Sequence, residues 1–422
     1  MRSSTDFDFT GILHAGDHLM WPQGPGEPLG LTSQLIAQSE ALPQLTLVVG
    51  MVTSATLGCP GANRFDYLCL NGAGGARIAT SMTGNRVVPA HVSSLPGLLL
   101  SRRIPVDVAL VRVRPTDNPE VFSLGVVCDF VHEMIEAARI VVAEIDERMP
   151  LTGCDALISR SSITYFTLAN GEEPLLYDPR PSQIDATLAA RVAEIIPDRA
   201  TVQFGIGGTP VAICAALKNH TGLGLHSGVL PDAVVNLIES GAIDNRHKGI
   251  DVGLTVTGGL FGSRRLLNFA DANPEVELRR ATYTHSAHTL SQLLNLHTIN
   301  SAIEIDLTGQ VNAEMAGDRY VGAVGGQVDF IRGGRASVGG RSIIAMPSVT
   351  PDGKTSKIVM NLGHRPVTTA RSDIDLVVTE QGVADLWGLD LHARATALIA
   401  IAHPDFRENL ERDFYLSKRV SA

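Results

Sequence analysis

The stretch PDRATVQFGIGGTPVAICAAL, residues 197–217, joins an apolar segment to a glycine-rich turn and then to a second apolar segment. An earlier stretch, GDHLMWPQGPGEPLGLTSQL at residues 16–35, follows the same plan. The two stretches match at an Asp and at two glycines, namely Asp17 with Asp198, Gly24 with Gly205 and Gly26 with Gly207. Each predicts a strand, a glycine-rich loop and a helix whose first N–H groups and positive dipole end face the loop.

Two further pairs of segments repeat in the same order along the chain. Residues 105–115 (PVDVALVRVRP) resemble residues 300–310, and residues 139–150 (RIVVAEIDERMP) resemble residues 341–351. Ordered repeats of strand, loop and helix indicate two homologous α/β halves.

The boundary between the halves is expected at a polar, proline-rich segment. Residues 170–183 (NGEEPLLYDPRPSQ) have the composition of a linker, so the predicted domains are residues 1–183 and 184–422. Two similar α/β lobes commonly place a ligand in the cleft between them, at the ends of their strands.

Composition narrows the functional class. The chain has 422 residues, of which 44% are hydrophobic, 41 are glycine and 5% are aromatic, a mixture that suits α/β domains. A net charge of −10 argues against nucleic-acid binding, which needs clustered Lys and Arg. Five dispersed cysteines, the absence of a signal-like N-terminus and the absence of a long apolar run predict a reduced, cytoplasmic protein that does not enter a membrane.

The loop GIGGTP, residues 205–210, is the first candidate ligand site. Gly205, Gly207 and Gly208 allow a ligand close to the backbone, although a tight turn that packs a helix on a strand explains the same residues. Pro210 takes the place of the third glycine of a dinucleotide loop, and no acidic ribose ligand is clearly placed. We therefore expect no NAD.

The loop VGAVGGQVDFIRGG, residues 321–334, is the second candidate. Gly325 and Gly326 predict adjacent backbone N–H groups of the kind that form an oxyanion hole, and Gln327 adds a side-chain donor. A simple glycine hairpin is the alternative.

Histidines supply the remaining candidates. His226 and Ser227 suggest a base and a nucleophile, but neighbours on a strand point to opposite faces, which favours a buried structural His. His285 and His288 have helical metal-ligand spacing without a third ligand, so no metal is expected.

Together these segments resemble the acetyl-CoA hydrolase/transferase family, which includes 4-hydroxybutyrate and succinyl-CoA:acetate CoA-transferases. The resemblance runs from residue 16 to residue 410. Its most specific motifs are FGSRRL (261–266), INSAIEIDLTGQVNAE (299–314), GGQVDFIRGG (325–334) and VTEQGVADLWG (378–388). It implies an α/β fold of two CoA-transferase-type open domains, with the active site in the cleft between them.

The resemblance also implies a chemistry and its residues. Family members attack acyl-CoA with the Glu of a His-Thr-Glu motif, through an anhydride and a glutamyl-CoA thioester. Here the motif is His226-Ser227-Gly228, so the nucleophile is replaced by glycine. The other implied catalytic residues are Asn312, Gly325 and Gly326, and the implied CoA-binding residues are Gly205, Gly207, Gly208, Gln327 and Asp329. Arg264 and Lys357 are candidates for the CoA phosphates, and solvated surface charge explains each of them equally well.

A new histidine stands beside this loss. His285 occupies a position where the family usually has Asn, and we hypothesise that it serves as a general base, since its ordinary pKa is about 6.5. The sequence then predicts hydrolysis of an acyl-CoA thioester, or retro-Claisen cleavage of a C–C bond, with the oxyanion hole retained. Trp21, in a segment where the family has small residues, predicts a changed acyl group.

Two alternatives remain open. One is a CoA-transferase with a non-standard nucleophile, or with a carboxylate from a paralogous partner subunit. The other is a non-catalytic CoA-ester binding subunit. The expected ligands are acyl-CoA and either water or a small carboxylate, and the expected assembly is a homodimer or a higher homo-oligomer.

Overall fold

The first lobe is built on an eight-stranded sheet. The computed structural model describes residues 5–82, 86–171 and 181–420. The strands of the first sheet are β1 (His18–Met20), β2 (Thr46–Val49), β3 (Asp66–Cys69), β4 (Val108–Pro115), β5 (Val121–Ser123), β6 (Ile140–Ile145), β7 (Leu157–Ser159) and β8 (Tyr165–Leu168). The α-helices of this lobe are α1 (Leu29–Ala37), α2 (Ala76–Met82), α3 (Leu95–Leu100) and α4 (Val131–Ala137).

The second lobe carries a second eight-stranded sheet and two small sheets. Its helices are α5 (Gln183–Ile195), α6 (Gly208–Ala216), α7 (Ala233–Glu239), α8 (Arg264–Ala270), α9 (Ala281–Thr284), α10 (Ala287–Gln292), α11 (Gln327–Ala336), α12 (Leu391–Ala400) and α13 (Pro404–Val420). Its strands are β9 (Thr201–Phe204), β10 (Gly224–Ser227), β11 (Thr255–Thr257), β12 (Val276–Leu278), β13 (Leu296–Asn300), β14 (Glu304–Asp306), β15 (Val311–Asn312), β16 (Met315–Ala316), β17 (Arg319–Tyr320), β18 (Arg341–Ala345), β19 (Ile358–Val359), β20 (Leu376–Thr379) and β21 (Gly382–Asp385).

Local sequence explains where these elements begin. Strands β9, β10 and β13 are buried at every residue, as expected for parallel strands covered on both faces. Helix α5 begins with a capping box, in which the Ser182 hydroxyl accepts from the Asp185 N–H and the Asp185 carboxylate accepts from the Ser182 N–H.

The two large sheets share one strand order. Six parallel strands run β3-β2-β1-β4-β6-β8 in the first sheet and β11-β10-β9-β13-β18-β20 in the second, where β12 adds a further parallel strand beside β11. This order confirms the predicted match of the stretches at residues 16–35 and 197–217, which contain β1 and β9. It also confirms the match of residues 139–150 to residues 341–351, which contain β6 and β18.

The predicted match of residues 105–115 to residues 300–310 was wrong by one strand. By position in the sheet, β4 corresponds to β13, residues 296–300, whereas residues 300–310 contain β14 of a separate three-stranded sheet. Both second-lobe segments are short apolar strands followed by a polar turn, so the pattern alone did not distinguish them.

The lobes are in close contact. One cluster of buried apolar side chains includes residues of both sheets, from Met20 to Val378. The Val92 N–H donates to the Gly325 carbonyl at 3.0 Å, and Val127 pairs with Gly259 across the same boundary. The domain limit at 183/184 stays a prediction, and residues 172–180 of the expected linker lie outside the described ranges.

The strand order places a crevice in the second lobe. The chain runs from β9 to its neighbour β10 on one side, whereas β13 lies next to β9 on the other side. The carboxyl ends of β9 and β13 therefore form a topological switch point. Ligands of open α/β sheets bind at such points. Throughout the described ranges, every helix is too short or too polar to cross a bilayer.

Candidate active site

A cavity of about 160 Å³ opens at this switch point. Both lobes line it, since Gln23, Val92 and Asp129 belong to the first and the other residues to the second. The second-lobe lining consists of Gln203, Phe204, Gly205, Ile206, Gly228, Val229, His285, Asn300, Gly326, Gln327 and Phe330. Typical small-molecule pockets measure roughly 300–1,000 Å³. This cavity therefore has room for the reacting end of a larger ligand.

The N-terminus of α11 supplies backbone donors to the cavity. Gly326 is the N-cap of this ten-residue helix and lines the cavity, and the first N–H groups of a helix have no partner within it. Gly325 precedes it with φ +57°, a left-handed conformation that favours glycine. Gly325 does not line the cavity itself, but its carbonyl accepts from Val92 of the first lobe and so fixes the turn.

Gly228 lies at the cavity wall, directly against the ring of His285. A Cβ atom added to Gly228 would lie 2.8 Å from both Cε1 and Nε2 of His285, well inside contact distance. A Cβ added to Gly326 would lie 2.5 Å from the same Nε2. The imidazole therefore fills the space into which any side chain at position 228 would extend.

The His285 ring is held in one orientation and stays neutral. Thr284 Oγ1 lies 2.9 Å from Nδ1 and donates to the Arg280 carbonyl at 3.3 Å. These contacts fix the ring so that Nε2 faces the cavity beside Gly228 and Gly326. Burial, assisted by the charge of His226, lowers the pKa of His285 to about 3. The ring is thus neutral, and a weak base, at neutral pH.

Asp129 brings a carboxylate to the cavity from the first lobe. Its side chain accepts from Gln23 Nε2 at 2.7 Å and from the Phe130 N–H at 2.6 Å, and the residue is 4% exposed. Burial raises the pKa of Asp129 to about 6 against the opposing effect of these two hydrogen bonds. Asp129 was not among the residues predicted from the sequence, although a carboxylate inside the apolar run VVCDFV, residues 126–131, was a usable signal.

Two more polar side chains of the cavity were also missed. Gln203 lies near the end of β9 and Asn300 ends β13, and Asn300 Nδ2 donates to Gln203 Oε1 at 3.2 Å. Both residues are buried polar positions at the carboxyl ends of otherwise apolar strands. Only the order of the strands, which the sequence did not fix, brings them together.

The predicted catalytic pair His226 and Ser227 lies away from the cavity, and neither residue lines it. His226 Nε2 is 3.0 Å from the Thr284 carbonyl, while the Ser227 hydroxyl donates to the Phe204 carbonyl at 2.9 Å. The two side chains point in different directions, as expected for neighbours on a strand. Both side chains are hydrogen-bonded within the protein, and their catalytic assignment stays a prediction.

Asn312 likewise has its hydrogen bonds satisfied within the protein. Its Nδ2 donates to Glu304 Oε1 and to the Met315 carbonyl, each at 2.7 Å, and its Oδ1 accepts from the N–H groups of Glu314 and Met315. The residue is 0% exposed and does not line the cavity. These hydrogen bonds fix the turn at β15, and the catalytic role of Asn312 stays a prediction.

The predicted CoA-binding loop residues divide into two groups. Gly205 and Gln327 line the cavity, and the Gln327 side chain also donates to Thr369 Oγ1 at 3.1 Å. Gly207 and Gly208 lie behind them, at the start of α6, where Gly207 has φ +129°.

Asp329 joins the lobes rather than facing the cavity. Its carboxylate accepts from the Ser93 hydroxyl at 2.7 Å and from the Ser93 N–H at 3.1 Å. Asp329 therefore forms a hydrogen bond between the lobes, and its contact with CoA stays a prediction.

The two basic candidates are not part of the cavity wall. Arg264 Nη1 donates to the Arg148 carbonyl of the first lobe at 2.8 Å. Burial lowers the pKa of Lys357 to about 8, against the nearby charges of Glu380 and Asp185. Within the described ranges, no three His, Cys, Asp or Glu side chains are grouped to hold a metal ion.

Comparison with known proteins was made by sequence and by structure. Residues 262–414 match the model of the acetyl-CoA hydrolase/transferase C-terminal domain. The 4-hydroxybutyrate coenzyme A transferase of Clostridium kluyveri is 37% identical over 392 residues, which cover 92% of this chain and 91% of that protein.

Solved structures show the same fold. RipA from Yersinia pestis superimposes with a TM-score of 0.88 at 30% identity, covering 96% of this chain and 94% of that one. A 4-hydroxybutyrate CoA-transferase from Porphyromonas gingivalis superimposes with a TM-score of 0.81 at 32% identity, covering 98% and 97%. The α/β fold expected from the sequence is therefore confirmed along nearly the whole chain.

Proposed function

Because the chain belongs to the acetyl-CoA hydrolase/transferase family, we propose that it cleaves an acyl-CoA thioester with water instead of through a glutamyl-CoA intermediate. One observation carries this proposal. Position 228, which the resemblance equates with the nucleophilic Glu, is glycine, and the His285 ring fills the adjacent space. Neither a carboxylate nor the room for one remains at that position.

The cavity supports the addition of water to a thioester carbonyl. In this proposal the carbonyl oxygen lies against the N-terminus of α11, where the N–H groups after Gly326 and the positive end of the helix dipole stabilise the oxyanion. In this proposal the Thr284 hydroxyl turns to donate to Nδ1, so that the neutral His285 ring, whose pKa burial lowers to about 3, donates from Nε2 to the same oxygen. This replaces the expected role of His285 as a base, since a group with such a low pKa accepts protons poorly at neutral pH.

The reaction balances without a cofactor. Water forms a bond to the carbonyl carbon as the carbonyl π electrons move to oxygen, and the C–S bond then breaks. The products are a carboxylic acid and CoA, whose thiol takes up the proton that water lost. A cavity of about 160 Å³ holds the acyl group and the thioester, and leaves the nucleotide end of CoA outside it.

Hydrolysis is distinguished from its alternatives by the products. Purified protein is incubated with acetyl-CoA, 3-hydroxybutyryl-CoA, acetoacetyl-CoA and succinyl-CoA, each with and without excess acetate, and all thioesters and free CoA are quantified by mass spectrometry. Hydrolysis predicts free CoA and the free acid from at least one substrate, at a rate that acetate does not change.

Other outcomes assign the other candidate functions. Formation of acetyl-CoA from another acyl-CoA only when acetate is present indicates a CoA-transferase, and it contradicts the proposal. Acetyl-CoA and acetate from acetoacetyl-CoA indicate C–C cleavage. Tight binding of acyl-CoA without any turnover indicates a binding subunit.

A further inference from the structure

We propose that Asp129 is the general base that removes a proton from the attacking water, so that the first lobe completes an active site otherwise built by the second. This inference rests on the proposed thioester hydrolysis and adds its missing proton acceptor. Neither the family motifs quoted above nor the glycine-rich loops point to this residue.

Asp129 lies beside the position of the lost nucleophile. A Cβ added to Gly258 would lie 2.9 Å from the Gly228 carbonyl oxygen and 3.6 Å from the Asp129 Cβ. Both Asp129 and Gly228 line the cavity. A water molecule bound between Asp129 and Gly228 is therefore near the position from which a side chain at residue 228 would have approached the thioester carbonyl of the substrate.

One residue ties Asp129 to His285. The Ala281 N–H donates to the Asp129 carbonyl at 2.6 Å, and the Ala281 carbonyl accepts from the His285 N–H at 3.1 Å. Helix α9 thus holds the proposed base and the proposed oxyanion donor at a fixed separation, although they come from different lobes. Such rigid placement is what general-base catalysis requires.

The carboxylate is oriented but retains free lone pairs. Gln23 Nε2 and the Phe130 N–H each use one acceptor site, and a carboxylate has about four. Gln23 is itself positioned, because its Oε1 accepts from the Met51 N–H at 3.5 Å. The remaining lone pairs of Asp129 can accept a proton from water within the cavity.

The proton returns to the leaving group. Asp129 takes a proton as water bonds to the thioester carbon, and the oxyanion forms at α11. When the C–S bond breaks, protonated Asp129 gives this proton to the CoA thiolate. The carboxylate is regenerated, and no covalent bond to the protein forms at any step.

Charged and neutral titratable groups surround Asp129. Glu133 on α4 raises the pKa of Asp129. Arg280, at the start of α9, places its Nη1 3.5 Å from Glu133 Oε1 and its Nε 4.0 Å from Asp155 Oδ2. Cys128 precedes it in the chain, and His285 faces it across the cavity as a neutral ring. With the pKa of Asp129 raised to about 6, the base is active above that pH and lost below it.

The test compares two buried carboxylates of the same lobe. Asp129→Asn removes the base with little change of shape, and Glu133→Gln is the matched control, because Glu133 is also buried but does not line the cavity. The kcat and KM for CoA release are measured from pH 5 to pH 9 for both variants, with acyl-CoA binding and thermal unfolding as checks of folding.

The expected result is a fall in kcat of about 10²- to 10⁴-fold for Asp129→Asn, with KM nearly unchanged and the decline near pH 6 abolished. Glu133→Gln should keep kcat within about threefold and shift that decline to lower pH, because a negative neighbour of Asp129 is removed. In a second variant, Asp129→Ala, added formate should restore part of the rate, which a purely structural carboxylate would not allow.

The inference is overturned if Asp129→Asn keeps wild-type kcat and pH dependence, if Glu133→Gln is equally impaired, or if an aspartyl-CoA adduct is found at residue 129. Absence of thioester hydrolysis in the wild-type protein is a different result. It contradicts the proposed function itself and is recorded in the same assay before any variant is compared.

Discussion

Restoring a glutamate at position 228 tests whether His285 occupies the nucleophile's space. The backbone at Gly228 is outside the left-handed region, so a side chain there causes no backbone strain. Its Cβ would nevertheless lie 2.8 Å from two ring atoms of His285 and 3.5 Å from Phe330. Overpacking of this kind typically costs about 1–3 kcal/mol, and Gly228→Glu should lower the free energy of unfolding by that amount.

The second substitution relieves the first. Asn is the residue that the family resemblance places at position 285, and it is smaller than imidazole. In the double variant Gly228→Glu/His285→Asn, the clash is removed, so the coupling energy between the two sites should be about 1–3 kcal/mol. Urea unfolding of the wild type, both single variants and the double variant gives this coupling energy directly, and Gly228→Ala serves as the control that clashes but carries no carboxylate.

Activity provides a second readout of the same cycle. Transfer of CoA from acetyl-CoA to a carboxylate should appear in the double variant, stay weak in Gly228→Glu and be absent from Gly228→Ala. Wild-type stability of Gly228→Glu together with zero coupling to position 285 would refute the reasoning, because the ring would then not fill the space beside Gly228.

Three further predictions follow from single contacts. Burial lowers the pKa of His285 to about 3, below its unfolded value of about 6.5, so this residue lowers the free energy of unfolding as pH falls below 6.5. In urea titrations, His285→Asn should therefore lose about 2 kcal/mol less stability than the wild type between pH 7 and pH 5. An equal loss in both proteins would contradict the buried neutral ring. Gln23→Leu removes a hydrogen bond that lowers the pKa of Asp129, so the acidic decline in kcat should move to higher pH, and a shift to lower pH would be inconsistent with this contact. Ser93→Ala removes the 2.7 Å hydrogen bond to Asp329 and should cost about 1 kcal/mol in unfolding free energy, whereas Ser94→Ala, as its neighbouring control, should cost less.

The sequence predicted the parts of the site that depend on local backbone chemistry. The GGQVD motif indicated the turn before α11. This turn has a glycine with φ +57° at Gly325 and ends in Gly326 at the cavity. The glycine at position 228, which the resemblance places where the family has Glu, was likewise visible, because it stands in a motif of fixed length.

Contacts that depend on packing between distant segments were not predictable. Asp129 and Gln23 reach the cavity only because the first lobe docks on the second, and no spacing in the sequence encodes that contact. Asn312 appeared catalytic by its motif, but the turn around it uses its hydrogen-bonding groups. The fit of His285 against Gly228 also required coordinates, since the two residues are 57 positions apart in the chain.

The origin of the product oxygen is the most direct measurement of the mechanism. Protein in excess over its acyl-CoA substrate is mixed in H₂¹⁸O and quenched after a single turnover, and the released acid and the intact protein are analysed by mass spectrometry. Attack by water predicts one ¹⁸O in the first-turnover acid and a protein of unchanged mass. An unlabelled acid, or a protein that carries CoA, would show that a side-chain carboxylate attacks the thioester and would contradict this account.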